Sequence, residues 1–122
     1  MNSGFRFKNW PIYKETRIFR KDIYDLIKIL PREEVYALSD QMRRAVNSII
    51  LNIAESASKN TDKDMRLYIN RAQCSLDEIV SCLDCAVDSQ YLNLEEYSVY
   101  TKKAENLAKQ FNGFISHLTK TA

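Results

Sequence analysis

Only four of the 122 residues bias a backbone strongly against helix: Gly4, Pro11, Pro31 and Gly113. None of them lies between positions 32 and 112. Sheet-rich folds need glycine, proline and their turn-forming companions at every chain reversal. A chain with such long unbroken segments is expected to be all-α. A chain of 122 residues suits one domain whose core needs no staples, with residues 1–11 as an N-terminal extension.

Hydrophobic period and capping residues divide the chain into four helices. The first is expected over 12–30, with Pro11 suited to its first turn and Ile12, Phe19, Ile23, Leu26, Ile27 and Leu30 as its apolar stripe. Pro31 stops it, because the residue before a proline is pushed out of α geometry. The same proline is expected to open the second helix, which runs to about Ser58. After the break SKNTDKD, Thr61 and Asp64 resemble a capping box. Met65, Ile69, Ala72, Leu76, Ile79, Leu83 and Ala86 then step along a third helix to SQYLN. Asn93 and Glu96 form a second capping pair. Beyond it, Tyr97, Tyr100, Ala104, Leu107, Phe111, Phe114 and Leu118 alternate by three and four without a miss. Such a seam packs along a neighbour as in a coiled coil. Short connections make an antiparallel up-down-up-down four-helix bundle the expected architecture.

Composition narrows the chemistry. No apolar run approaches a membrane span, and MNSGFRFKNW lacks the apolar stretch of a secretion signal. Cys74, Cys82 and Cys85 fall inside one helical segment and make no disulfide framework, so reduced thiols and a cytoplasmic location are expected. The pair CLDC lies mid-helix, whereas a redox motif wants a thiolate at a helix N-terminus and a structural zinc wants four ligands. A single histidine, His117, supports no nucleophilic triad, and no phosphate-binding glycine loop, HExxH or Glu-x-x-His occurs. The expectation is a protein that is not an enzyme and needs neither metal nor cofactor.

The second helix carries an unusual pattern in QMRRAVNSIILNIAES. On a wheel of about 100° per residue, Leu38, Met42, Ala45, Val46, Ile49, Ile50 and Ile53 form one broad apolar face. Gln41, Arg44, Ser48, Asn52 and Glu55 lie within roughly 80° of one another on its flank. Leu51 and Ala54 lie beyond that polar stripe, facing away from the core. A bundle helix needs only one apolar face, so a second calls for another partner, most economically an identical chain. Arg44 and Glu55 are about three turns apart, too far to pair with each other. Each is expected to find its partner on another helix or subunit.

These residues resemble the signature of the 23S rRNA intervening sequence protein family, Q-x-x-R-A-x-x-S-I-x-x-N-I-A-E-G. Gln41, Arg44, Ala45, Ser48, Ile49, Asn52, Ile53, Ala54 and Glu55 match it. In the third helix, YINRAQCSLDEI is similar to the family's F-L-x-x-A-x-G-S-x-x-E-L through Ala72, Ser75 and Glu78. Ser56 and Cys74 stand where the family has glycine. The resemblance implies a small helical bundle that assembles as a ring-like homo-oligomer, a pentamer. A related branch comprises accessory proteins of diversity-generating retroelements, which bind a reverse transcriptase and nucleic acid and are strongly basic. This chain, at a formal +2, is not.

Charge distribution says more than net charge. Residues 1–30 hold seven Lys/Arg against three Asp/Glu, whereas residues 61–92 hold three against six. The two segments could pair within the chain, or the basic one could face RNA or another nucleic acid. Lys14, Arg17, Arg20, Lys21, Lys28 and Arg43 are the candidate nucleic-acid contacts. The alternative partner is a protein, with the chain as an interaction scaffold. Gln41, Arg44, Ser48, Asn52, Glu55, Ser75 and Glu78 are read as a structural polar seam that sets helix register or subunit orientation.

Overall fold

Pro11 supplies a preset φ at the first turn of α1 (Pro11–Ile29), whose N-terminal N–H groups need no intrahelical acceptor. Leu30 then turns extended, at φ −70° and ψ 147°, as the residue before Pro31 must. The computed structural model describes residues 4–121, with side chains through Leu118, so the first three residues of the N-terminal extension lie outside the described residues. Three further helices follow: α2 (Leu38–Ser56), α3 (Asp62–Asp88) and α4 (Leu94–Thr121). No strand occurs among the described residues, and no described helix is long and apolar enough to cross a membrane.

Both expected caps form, the first through one side-chain bond and the second as a full box. Asp64 N–H donates to Thr61 Oγ1 at 3.1 Å. Asn93 and Glu96 make a reciprocal box, Glu96 N–H to Asn93 Oδ1 at 2.7 Å and Asn93 N–H to Glu96 Oε1 at 2.9 Å. At the C-terminus of α3, Tyr91 N–H bonds Ala86 O and Gln90 N–H bonds Val87 O. This is a Schellman closure with Gln90 at φ 64°, a position that usually takes glycine.

The start of the second helix differs from expectation. Pro31 opens a 3-10 turn at Arg32–Glu34, and α2 begins only at Leu38. The chain leaves helical geometry at Ala37, at φ −122° and ψ −101°, and the Glu34 carboxylate accepts Leu38 N–H at 3.3 Å and Tyr91 O–H at 2.7 Å. The first bond caps the start of α2 locally, and the second ties this turn to the α3–α4 connection.

Helix contacts run α1 to α2, α2 to α3, α3 to α4 and α4 back to α1, with α2–α3 the most extensive and α1–α4 the least. Between them Ile23, Leu26, Met42, Ile49, Ile69, Leu83 and Phe111 are fully buried. Each such side chain contributes about 1.5–3 kcal/mol through burial. Thr16, which periodicity passes over, is also fully buried and donates its hydroxyl to Ile12 O at 2.6 Å. The N-terminal segment packs as well: Arg6 donates to Ala57 O at 2.8 Å, and Trp10 meets Phe114 at 5.1 Å between ring centroids. Of the cysteines only Cys82 is in the core; Cys74 and Cys85 are exposed, so core packing does not account for those two.

Candidate nucleic-acid interface

The exposed half of α1 is divided by charge. At about 100° per residue, Arg17, Lys21 and Lys28 fall on the side toward α2, while Glu15, Ile18 and Asp22 fall on the side toward α4. Arg17, Arg20, Lys21 and Lys28, with Tyr24, Asp25 and Ile50, line one groove of about 530 Å³ between α1 and α2. Four of the six basic residues singled out from sequence thus meet in one place. Lys14 is exposed one turn before Arg17 on the same helix but outside that lining. Arg43 is engaged elsewhere, donating to Val35 O at 3.0 Å and lying 3.8 Å from Asp40.

The four groove cations are not equivalent. Arg17 and Lys21 project to solvent from successive turns. Lys28 pairs with Asp25 at 3.5 Å, a highly exposed contact of little energetic weight. Arg20 is half-buried and committed: its Nε donates to Asn47 Oδ1 at 2.6 Å, and its guanidinium lies 4.2 Å from the Tyr24 ring centroid. Asn47 Nδ2 in turn donates to Tyr24 O–H at 2.8 Å. The three side chains close a loop of contacts between α1 and α2. Sequence reasoning missed Tyr24 and Asn47, although the four-residue spacing of Arg20 and Tyr24 places them on one helix face.

The opposite flank of α1 carries the reverse charge. Asp22, Asp25, Glu95 and Glu96 surround Val99, Tyr100 and Lys103. Lys103 pairs with Asp22 at 3.0 Å. Burial first, then Asp22 and Asp25, push the Tyr100 phenol above its ordinary pKa. The two flanks of α1 therefore differ in charge, with Asp25 bordering both.

The polar seam of α2 lies next to this groove, between α2 and α3. Ser75 Oγ–H donates to Ser48 Oγ at 2.8 Å, and Asn52 Nδ2 donates to Ser48 O at 2.9 Å and Ser48 Oγ at 3.1 Å. Gln41 Nε2 reaches Glu78 Oε2 at 3.1 Å. Arg44 and Glu55 depart from expectation. Each has a partner one turn away on its own side of the sequence, Arg44 with Asp40 at 2.9 Å and Glu55 with Lys59 at 3.6 Å. Both are i,i+4 pairs, so neither side chain needs another helix or subunit for its charge. Leu51 stands 66% exposed on the outer side of α2, beside the shallow groove of Arg44, Ser48, Asn52, Glu55 and Tyr68.

Four packed helices, a basic groove along the first two and a short hydroxyl–amide seam between the second and third define a small all-α bundle protein. Residues 8–113 match the family described as 23S rRNA-intervening sequence protein, and the chain belongs to that family. Among solved structures it is similar to a protein of unknown function from the S23 ribosomal protein family of Bacteroides thetaiotaomicron. That likeness has a TM-score of 0.78 at 23% identity and covers 85% of this chain and 97% of that one, so it speaks for the fold alone. No curated protein matches the chain.

Proposed function

We propose that this protein is a non-enzymatic, self-assembling four-helix bundle that binds RNA along the α1/α2 groove. The observation that carries the reading is charge segregation across α1. Arg17, Arg20, Lys21 and Lys28 share one groove, the carboxylates of Asp22, Glu95 and Glu96 gather on the other flank, and Asp25 borders both. The family description, which names a 23S rRNA intervening sequence, makes RNA the nucleic acid of choice. An antiparallel up-down-up-down order is supported by the contact pairs. Gln41 meets Glu78 and Ser48 meets Ser75; Gln73 meets Asn112 and Asp84 meets Tyr97. In each helix pair the partner number falls as the first rises.

Self-assembly, as a pentameric ring by family likeness, is supported by the exposed Leu51 opposite the core face of α2. A ring would repeat the basic groove, so weak contacts in each protomer would add. Within the CLDC pair, burial first, then Cys85 and Glu78, raise the Cys82 thiol to about 11, which argues against a reactive thiolate at that position at neutral pH.

The test is an RNA titration by fluorescence anisotropy at two salt concentrations. Affinity should fall with salt, and Arg17→Gln with Lys21→Gln should lower the slope of log affinity against log salt by about 1.4, at about 0.7 per single-strand phosphate contact. Salt-independent binding, or an unchanged slope in the double variant, refutes the reading.

A further inference from the structure

We propose that the α1/α2 groove is a subsite for an unpaired nucleotide, so that this protein selects single-stranded over double-stranded RNA. The inference rests on the nucleic-acid reading above and adds the form of the ligand.

The groove has a rim and a floor with different chemistry. Its rim is cationic, with Arg17 and Lys21 about 6 Å apart along the helix axis, at 1.5 Å per residue, and Lys28 about 10 Å further on. Its floor is a cation–aromatic pair, half-buried where the rim is exposed. The Arg20 guanidinium lies against the Tyr24 ring, and Asn47 holds both by their polar ends. An arginine on a free surface loses much side-chain freedom when it binds a ligand. Here that freedom is already restricted by two neighbours, so stacking a base on this assembly costs little further ordering. The bond to Asn47 uses only Nε, so the Nη donors are not consumed by it. Ile50 adds an apolar wall.

Duplex RNA does not fit these features. Its bases are paired and stacked, and its deep major groove admits no side-chain platform, so a double strand would meet only the rim. An unpaired base can swing out, lie on the Arg20–Tyr24 platform and leave its flanking phosphates to Arg17, Lys21 and Lys28. Aromatic and arginine stacking of this kind is how single strands are held without regard to sequence. Asp25, beside Lys28, adds an acceptor at one end of the groove for the exocyclic N–H of a base.

The experiment uses the intact chain and an unstructured, fluorescein-labelled RNA of about 12 nucleotides carrying 2-aminopurine, alone and annealed to its complement. Anisotropy gives affinity, and 2-aminopurine emission reports stacking of the base. The single strand should bind at least about tenfold more tightly than the duplex, with a change in 2-aminopurine emission on binding. Arg20→Lys keeps the charge and loses the plane. It should weaken the single strand about tenfold, abolish the emission change and leave the duplex unaffected. Arg17→Gln with Lys21→Gln should weaken both forms. Equal or tighter duplex binding overturns the proposal while leaving nucleic-acid binding intact. Absence of binding to either form overturns both readings. The wild-type comparison alone decides the strand preference if Arg20→Lys fails to fold, a point checked by its thermal melt.

Discussion

Two asparagines five residues apart on α2 offer a sharp test of how the bundle is held. Asn47 is the node of the Arg20–Tyr24–Asn47 loop and joins α2 to α1 through one bond from a guanidinium and one to a phenol. Asn52 bonds only to Ser48, on its own helix, one turn back. In Asn47→Ala the charge-assisted bond is worth about 1.5–3 kcal/mol and the neutral one about 0.5–1.5, for a sum of about 2–4.5 kcal/mol. All three residues are half-buried, Arg20 and Tyr24 along the α1/α2 groove and Asn47 along the shallow groove beside Leu51, so water can replace part of this and the lower end of the range applies. Alanine returns about 0.5 kcal/mol of helix propensity. The expected net loss is about 1.5 kcal/mol, by the same bookkeeping. In Asn52→Ala, Ser48 Oγ keeps its bond from Ser75 and no group is orphaned, so propensity nearly cancels the loss and the change should stay within about 0.5 kcal/mol. Urea unfolding followed by circular dichroism and by Trp10 fluorescence measures both. If Asn52→Ala destabilises as much as Asn47→Ala, cross-helix bonding is not what distinguishes them and the reasoning fails. Asn47→Asp, which keeps an acceptor for Arg20, should fall between the two.

Two further outcomes follow from surface and loop geometry. Leu51→Glu places a charge on a side chain that is 66% exposed, so it should change the stability of the single bundle by no more than about 0.5 kcal/mol while weakening self-association in sedimentation equilibrium. A wild-type chain that stays monomeric at micromolar concentration refutes the assembly reading. The Tyr91 phenol, hydrogen-bonded to Glu34, is raised from 10.0 to about 12. A group whose pKa is higher in the folded state contributes fully below its unfolded value and loses that contribution as pH climbs through its folded one. Stability should therefore decline between pH 10.0 and about 12, and Tyr91→Phe should flatten the decline. Parallel pH curves for the two proteins would show that the clasp between the connections is not responsible.

What sequence alone determines here is what depends on neighbours within a few residues. The scarcity of Gly and Pro sets the helical class, and the three-and-four spacing from Tyr97 to Leu118 picks the buried side of α4. The Thr61–Asp64 and Asn93–Glu96 pairs place two helix starts, since a cap is closed by groups three positions apart. The motif in α2 was enough to identify the family that residues 8–113 match. Tertiary structure decided the rest, wherever a residue's partner lies far along the chain. The turn before α2 is tied to the α3–α4 connection by Tyr91 reaching Glu34 from 57 residues away. Arg20 belonged, by sequence, with the other cations; only the arrival of Asn47 from α2 separates it, because a hydrogen bond at 2.6 Å is visible to no local pattern. The groove itself is of the same kind. Its cations sit on one helix by period, but a concave floor exists only once a second helix has packed beside them.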